Sequence, residues 1–330
     1  MPIVVNSNTS ATSASFNLSR ANDSLRQSLS RLSSGKRINS PADDAGGLAV
    51  AYKLESKLNR TEAVVQNSQN ALSFLQVQDG ALATVGKVLD RMGELRTMAQ
   101  DITKNSGDIE NYSKEFLELQ SQLNQVKQSK FNGISLFSVS GETLQNDGDN
   151  SPGGGSYTDV NGTTVSYDKY GHTLYTAASG QPEDGSISVN VVNLQFVLSI
   201  GNLSGTTNTA GSDLGGFDNA VGAGITGTAT DTARFISSIL DVSVGQFTEA
   251  IERLADMRAE NGAEQNRVMN SIELLQTNLT NLEAAHGRIM DADIALESTR
   301  FARHNVLVQA SAAMTAQANQ LTNVALQLLG

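Results

Sequence analysis

The chain has 330 residues, 39% of them apolar, 5% aromatic, none of them Cys or Trp, and a formal net charge of −11. Absence of Cys excludes disulfides, thiol catalysis and most structural zinc sites. The acidic balance argues against broad nucleic-acid binding, and few aromatics suit long, thin helical packing better than a thick globular core.

Met1 to Ser10 lacks a basic stretch followed by a long apolar run, so no cleavable secretory signal is expected there. A first helix is predicted over about 5–34, up to the Ser33-Ser34-Gly35 break. Within it Ala11, Ala14, Leu18, Ala21, Leu25, Ser28 and Leu32 step by three and four, the rhythm of a coiled-coil seam. No Asp, Glu, Lys or Arg precedes Arg20. A connector over 36–45 carries Pro41, Asp43 and Asp44. The two acids read as the start of a second helix: first-turn acids suit the macrodipole, and Ser40 with Asp43 has capping-box spacing. That helix runs from about Asp44 to Ile102, with Leu75, Leu82 and Leu89 seven apart and Val85, Met92 and Ala99 in step. A third helix is expected over about 108–129, with Phe116, Leu119, Leu123 and Val126 on one stripe and Phe131-Asn132-Gly133 ending it.

From about Val139 to Thr228 the composition turns to Gly, Ser, Thr, Asn and Asp. Thr163–Tyr170 and Ser186–Ile200 alternate as short strands would, the second with Ile187, Val189 and Val191 on one side. Ser151-Pro152-Gly153-Gly154-Gly155 reads as a turn. Helical periodicity returns near Asp231. Val244, Phe247, Ile251 and Leu254 form one stripe, and Ile272, Leu275, Leu279 and Leu282 another. The last helix starts near Asp291 to Asp293 and runs almost to Gly330. There Leu307, Ala310, Met314, Gln317, Leu321, Val324 and Leu328 repeat the three-four rhythm, and no charge follows Arg303. Interruption by Gln309, Gln317, Asn319, Gln320 and Asn323 rules this stretch out as a membrane span.

The expected fold is mainly α. A long antiparallel helical bundle and a terminal coiled coil of the two chain ends carry a small β-rich inserted domain. A solvated helix normally has charges outside. Uncharged outer faces imply that a partner covers them, because amides and hydroxyls tolerate burial better than charges. The two ends are therefore expected to pair and then pack into a polymer. Interface candidates are Ala14, Leu18, Leu25, Leu32, Leu307, Met314, Leu321, Val324 and Leu328.

Other chemistry is weakly signalled. Gly222-Ala223-Gly224-Ile225-Thr226-Gly227 has the dinucleotide glycine spacing but no strand before it. His172, His286 and His304 form no i,i+4 pair, and surface or packing roles are expected for them. No catalytic, cofactor or metal site is assigned.

Arg31-Leu32-Ser33-Ser34-Gly35-Lys36-Arg37-Ile38-Asn39-Ser40, followed by Asp43-Asp44-Ala45-Gly46-Gly47-Leu48-Ala49, resembles the N-terminal signature of bacterial flagellins. Phe131-Asn132-Gly133 resembles their marker at the end of the third helix. Arg288-Ile289-Met290-Asp291-Ala292-Asp293 and Ala316-Gln317-Ala318-Asn319-Gln320 resemble their C-terminal signatures. The resemblance covers roughly 1–137 and 231–330.

It implies a non-enzymatic, extracellular filament subunit serving motility. Such a subunit is exported unfolded through the flagellar type III apparatus and assembles beneath a cap. It also implies a chaperone on the C-terminal segment and neighbouring cap and hook-junction proteins. Residues 1–42 plus 291–330 would form an inner-tube domain, 43–139 plus 229–290 an outer-tube domain, and 140–228 a variable surface insert. By resemblance, Leu89, Arg91 and Glu115 fall on the site for the animal flagellin receptor, although Gly93 stands where recognised relatives carry Arg and Asp90 replaces a usual Gln. A zinc-protease motif found in some flagellin inserts is missing, and the chain ends Gln327-Leu328-Leu329-Gly330 where many relatives end in Arg. Alternative readings are a hook-filament junction protein, or a secreted adhesin with a helical stalk.

Overall fold

The computed structural model describes residues 8–137, 153–158, 164–198, 236 and 238–329, with the side chains of 153–158, 164–170, 195 and 321–329 outside that description. Two compact units emerge: Met1–Arg60 with Asn278–Gly330 (unit 1), and Thr61–Thr277 (unit 2). Their limits lie at 60 and 278, whereas the expected domains divide at 42 and 291.

In unit 1, helix α1 spans Thr9–Ser34. Asn8 caps it, its side chain accepting from the Ala11 amide at 2.9 Å. Gly35 ends it in the left-handed region (φ 69), with its amide bonded to the Arg31 carbonyl. A side chain there would be strained. Helix α2 spans Ala45–Ala99. Asp44 is its cap, accepting from the Gly47 amide at 2.8 Å. Asp43 is not the first-turn acid that its position suggests. Its carboxylate turns back to accept from the amides of Asn39 (3.1 Å) and Ser40 (3.0 Å) and from the Gln27 side chain (2.6 Å). Arg31 lies 3.8 Å away.

The connector between α1 and α2 is clasped at its other end too. The Arg37 amide donates to the Met290 carbonyl at 2.6 Å, its guanidinium to the Ile289 carbonyl at 2.9 Å, and the Ala292 amide to the Gly35 carbonyl at 2.9 Å. Ile38, Ala51 and Met290 are buried together beneath these bonds, with Leu48 and Ile289 packed on them. This small core ties the start of α2 to the end of the long helix α5 (Val244–Met290), and explains why unit 1 extends past the connector. Helix α6, Ile294–Leu329, pairs with α1.

In unit 2, helix α3 spans Ser106–Lys127, opened by a full capping box between Asn105 and Asp108. It stops before Phe131-Asn132-Gly133, which do not terminate a helix. They form the tight turn of a two-stranded hairpin, β1 (Lys130–Phe131) with β2 (Ile134–Ser135). Asn132 (φ 49) and Gly133 (φ 83) both sit at positive φ, the requirement of a type I′ turn that Asn-Gly meets.

A three-stranded antiparallel sheet, β3 (Gly153–Thr158), β4 (Thr164–Tyr175) and β5 (Ser186–Val191), follows in the order β3-β4-β5. The triple glycine read as a turn is thus strand, with Gly154 facing Asp168. The second alternating stretch is only half strand: past Val191 the chain turns into the short helix α4, Leu194–Val197. Among the described residues, the helix expected from Asp231 begins only at Val244. Before it lie Ile236, Ile239 and Val242, all buried.

The unit 2 core joins Leu75, Leu82, Val85, Leu89 and Met92 of α2, Phe116 and Leu123 of α3, and Phe247, Ala250 and Leu254 of α5. Val244, placed on that stripe by its spacing, is at the start of α5 and exposed. Val189, Leu194, Phe196, Val197 and Leu198 belong to the same core. Of the described residues in the expected 140–228 insert, Ile187, Val189, Val192, Leu194, Phe196, Val197 and Leu198 thus pack into the unit 2 core.

Polar groups reinforce this. Buried Gln78 donates to the carbonyls of Leu136 (2.8 Å) and Asn190 (3.2 Å) and accepts from the Asn261 side chain (2.5 Å). Gln120 exchanges two bonds with the Ile236 backbone, at 3.0 and 2.9 Å. Buried Arg253 donates to the Val197 carbonyl and lies over the Phe196 ring, 5.8 Å from its centroid.

Two outcomes follow from this packing. Excising 140–228 removes Val191 to Leu198, takes the Val197 carbonyl from Arg253 and leaves Gln78 with the Leu136 carbonyl but not that of Asn190. Losing a buried Leu or Phe costs about 2–5 kcal/mol, so the excised chain unfolds at clearly lower denaturant in a circular-dichroism titration, whereas a chain that retains 186–198 does not.

The second concerns acid. Hydrogen bonds from the Ser40 amide, the Gln27 side chain and the Asn39 amide hold the Asp43 carboxyl below its ordinary value of 3.8. The stabilisation from Asp43 is therefore complete above that ordinary value and is lost as pH falls through the lower folded value. Exchange of the Asn39 and Ser40 amides should accelerate in acid below about pH 3.8. In Asp43→Asn it should be fast already at neutral pH.

Candidate assembly interface

The pairing of α1 with α6 is antiparallel. Asn8 donates to the Ala318 carbonyl at 2.8 Å at one end, and Ala292 bonds to Gly35 at the other. On α1 the inward positions are those of the expected stripe: Ala11, Ala14, Leu18, Ala21, Leu25 and Leu32 are half-buried and Ser28 is buried. Between them only Ser24 and Arg31 are as protected.

On α6 the inward stripe is a different one. Glu297, Phe301, His304, Val308, Ser311, Thr315 and Ala318 are its protected residues, again in steps of four and three. The register sets Leu18 level with Val308 and Leu25 with Phe301. The expected partners Leu307 and Met314 point away from α1, 46% and 65% exposed, and Ala310 and Gln317 are exposed as well. Leu321, Val324 and Leu328 lie on α6, but their side chains are outside the description.

A three-four rhythm can begin at several positions of α6, and the more apolar phase is the outer one. Steric fit favours the other phase inside, where Ala11 and Ala14 of α1 meet Thr315 and Ser311 and let the backbones approach. Sequence reasoning missed Phe301, Val308 and Ala318.

The pair is thin. Among the described residues of its seam only Ser28, Glu297 and Ala318 are buried. Glu297 is held by Arg300 of the same helix at 3.3 Å. Outside the seam, Leu296, Val306, Leu307 and Met314 of α6 and Phe16 and Leu29 of α1 expose large apolar surface. Burying each such side chain is worth about 1.5–3 kcal/mol. Scattered exposed apolar residues are ordinary, but a run along a helix pair marks an interaction surface.

The receptor-site candidates separate. Leu89 is fully buried in the unit 2 core and presents nothing outward. Arg91 and Glu115 are exposed and bonded to each other at 2.7 Å, joining α2 to α3, and Arg91 also reaches Glu94 at 3.0 Å. Of the histidines, His172 packs edge-on to Phe74 with ring centroids 6.3 Å apart, at a pocket of about 430 Å³ also lined by Ala71, Phe131 and Leu174. His304 lies in the α1–α6 seam and His286 on α5. Among the described residues no cluster of three His, Cys, Asp or Glu could hold a metal, and no helix is long and apolar enough to cross a membrane. The glycine-rich 222–227 segment lies outside the described residues.

Comparison with known proteins converges on one family. Residues 5–142 match the bacterial flagellin N-terminal helical region and residues 244–329 the C-terminal helical region. Polar flagellin F of Vibrio parahaemolyticus is 30% identical over 387 aligned residues, covering 100% of both chains. Flagellin of Bacillus subtilis is 29% identical over 98% of this chain and 99% of its own. Among solved structures, a putative flagellar hook-associated protein from Vibrio parahaemolyticus superposes with a TM-score of 0.51 at 14% identity, covering 76% of this chain and all of that one. That last similarity is one of fold. The two matched helical regions, together with end-to-end alignment to the Vibrio protein, make this chain a member of the bacterial flagellin family.

Proposed function

We propose that this chain is a structural, non-enzymatic subunit that polymerises into the extracellular filament of a bacterial flagellum. One observation carries the reading: the face of α6 turned away from α1 exposes large apolar side chains that nothing among the described residues covers. Leu307 and Met314 face outward on a helix with no charge after Arg303. Such a helix is unstable in water and stable inside an assembly. Flagellin-named relatives that align along the whole chain support the filament over a junction protein or an adhesin.

In this reading unit 1 lines the inside of the polymer and the helices of unit 2 form its next layer. The surface role expected for 140–228 falls largely outside the described residues. Export through the flagellar type III apparatus, a chaperone on the C-terminal segment, and contacts with cap and hook-junction proteins belong to the same proposal. So do interface roles for Leu321, Val324 and Leu328. For the animal receptor, Arg91 and Glu115 remain the surface candidates.

Seeded polymerisation tests this reading, with purified chain added to sheared filaments of the same protein and followed by electron microscopy. The unaltered chain should extend the seeds. Met314→Asp should stop growth while leaving the monomer's helical content unchanged, because it places an unpaired carboxylate in the buried outer face, at several kcal/mol. Normal filaments from Met314→Asp would refute the outward-face assignment.

Ala14→Asp should also stop growth, but by a different route. It strikes the α1–α6 seam and should expose 9–34 to rapid proteolysis in the monomer. Deleting 1–32 or 305–330 should give a chain with a folded unit 2 that never polymerises; filaments from either deletion would show that the paired ends are dispensable.

A further inference from the structure

The two units carry opposite charge balances. Eleven of the chain's 23 Lys and Arg but only eight of its 34 Asp and Glu fall in unit 1, which leaves twelve against twenty-six in unit 2. Within unit 1 the unengaged cations lie on α1, the connector, the end of α5 and α6. Arg20, Arg26, Lys36, Arg288 and Arg303 are exposed, and none makes an ion pair among the described residues. The acids of the same stretches are mostly engaged. Asp43 is bound by the connector amides, Asp44 and Asp293 accept from helix-start amides, and Glu297 is buried beside Arg300.

Unit 2 shows the converse on α5. Glu249, Glu252 and Asp256 step by three and four residues and so share a face. Glu252 and Asp256 have no ion pair among the described residues. Glu249 reaches only Arg253, at 4.0 Å, and that guanidinium is buried over Phe196.

We propose that the unpaired cations of unit 1 dock on the acidic face of α5 in a second copy of this chain. The inference rests on the filament reading and names the electrostatic half of the contact whose apolar half is the outer face of α6. The cations flank that face, since Arg303 lies one turn before Leu307. Complementary charge sets orientation and rejects mismatched encounters more than it adds affinity. Attraction across solvent-facing pairs is also screened by salt, so seeded growth should slow as salt rises even though the apolar contacts favour it.

Charge reversal in seeded assembly, with unaltered seeds, tests the proposal. Arg26→Glu with Arg303→Glu should raise the critical concentration by about tenfold or more, since like charges placed opposite each other cost several kcal/mol. Glu252→Lys with Asp256→Lys should do the same. All four changes together, growing on seeds of their own kind, should restore growth toward the unaltered level. Circular dichroism and limited proteolysis confirm that each variant is folded; Arg26, Asp256 and Arg303 are exposed and Glu252 is half-buried.

Unchanged growth of either double variant overturns the docking while leaving the filament reading intact. Failure of the fourfold variant to recover also overturns it, as does unchanged assembly together with binding of the unaltered monomer, but not Arg26→Glu/Arg303→Glu, to anionic phospholipid vesicles. Failure of the unaltered chain to extend its own seeds removes the filament reading and this docking with it.

Discussion

Registration of α1 against α6 is the constraint on which unit 1 depends, and it is set by backbone rather than by side chains. Ala292 to Gly35 and Arg37 to Met290 are amide-to-carbonyl bonds between segments far apart in sequence. Backbone bonds of this kind cannot slip by a turn without losing both partners. Side-chain packing alone would hold the register weakly, because the larger residues of the seam, Leu18, Leu25, Leu32, Phe301 and Val308, are only half-buried. The connector therefore does what large knobs do in an ordinary coiled coil. Asp43 keeps the connector in shape, and Gln27 and Arg31 bring that shape onto α1.

Unit 2 solves a different problem. Its helices alone would make a plain apolar bundle. The segments entering from the β-rich stretch bring carbonyl groups into that bundle, and each meets a buried amide or guanidinium: Gln78 for Leu136 and Asn190, Gln120 for Ile236, Arg253 for Val197. A buried polar group without its partner costs more than an apolar one would. These pairs thus specify which loop segment sits where, and they lock 186–198 and 236–242 to the helices.

The helices and the family were legible in the sequence because long periodic runs and signature motifs are local signals. The seven-residue spacing of Leu75, Leu82 and Leu89, with Met92 in step, marks residues that are fully buried in the unit 2 core. Phase was not legible on α6. Leu307 and Met314 are the more apolar choice, yet the inner seam took Val308, Ser311 and Thr315, because closeness of approach decided over hydropathy. The role of Asp43 was hidden for a related reason: its partners Asn39, Ser40 and Gln27 become neighbours only once the connector folds back. Val191 to Leu198 looked like insert because composition was averaged over a long glycine-rich stretch. The aliphatic run Val191-Val192-Asn193-Leu194, flanking Phe196, was the signal that averaging concealed.

The two-sided character of α6 bears on how this segment can change over time. An ordinary surface helix has a neutral face, where substitutions drift without penalty. On α6 the inner positions, Phe301, Val308, Ser311, Thr315 and Ala318 among them, are committed to α1, and in the filament reading the outer ones stay apolar. A helix with both faces committed has few silent positions, so its admissible sequences form a narrow set. Substitutions there are tolerated chiefly in pairs, one on each side of a contact.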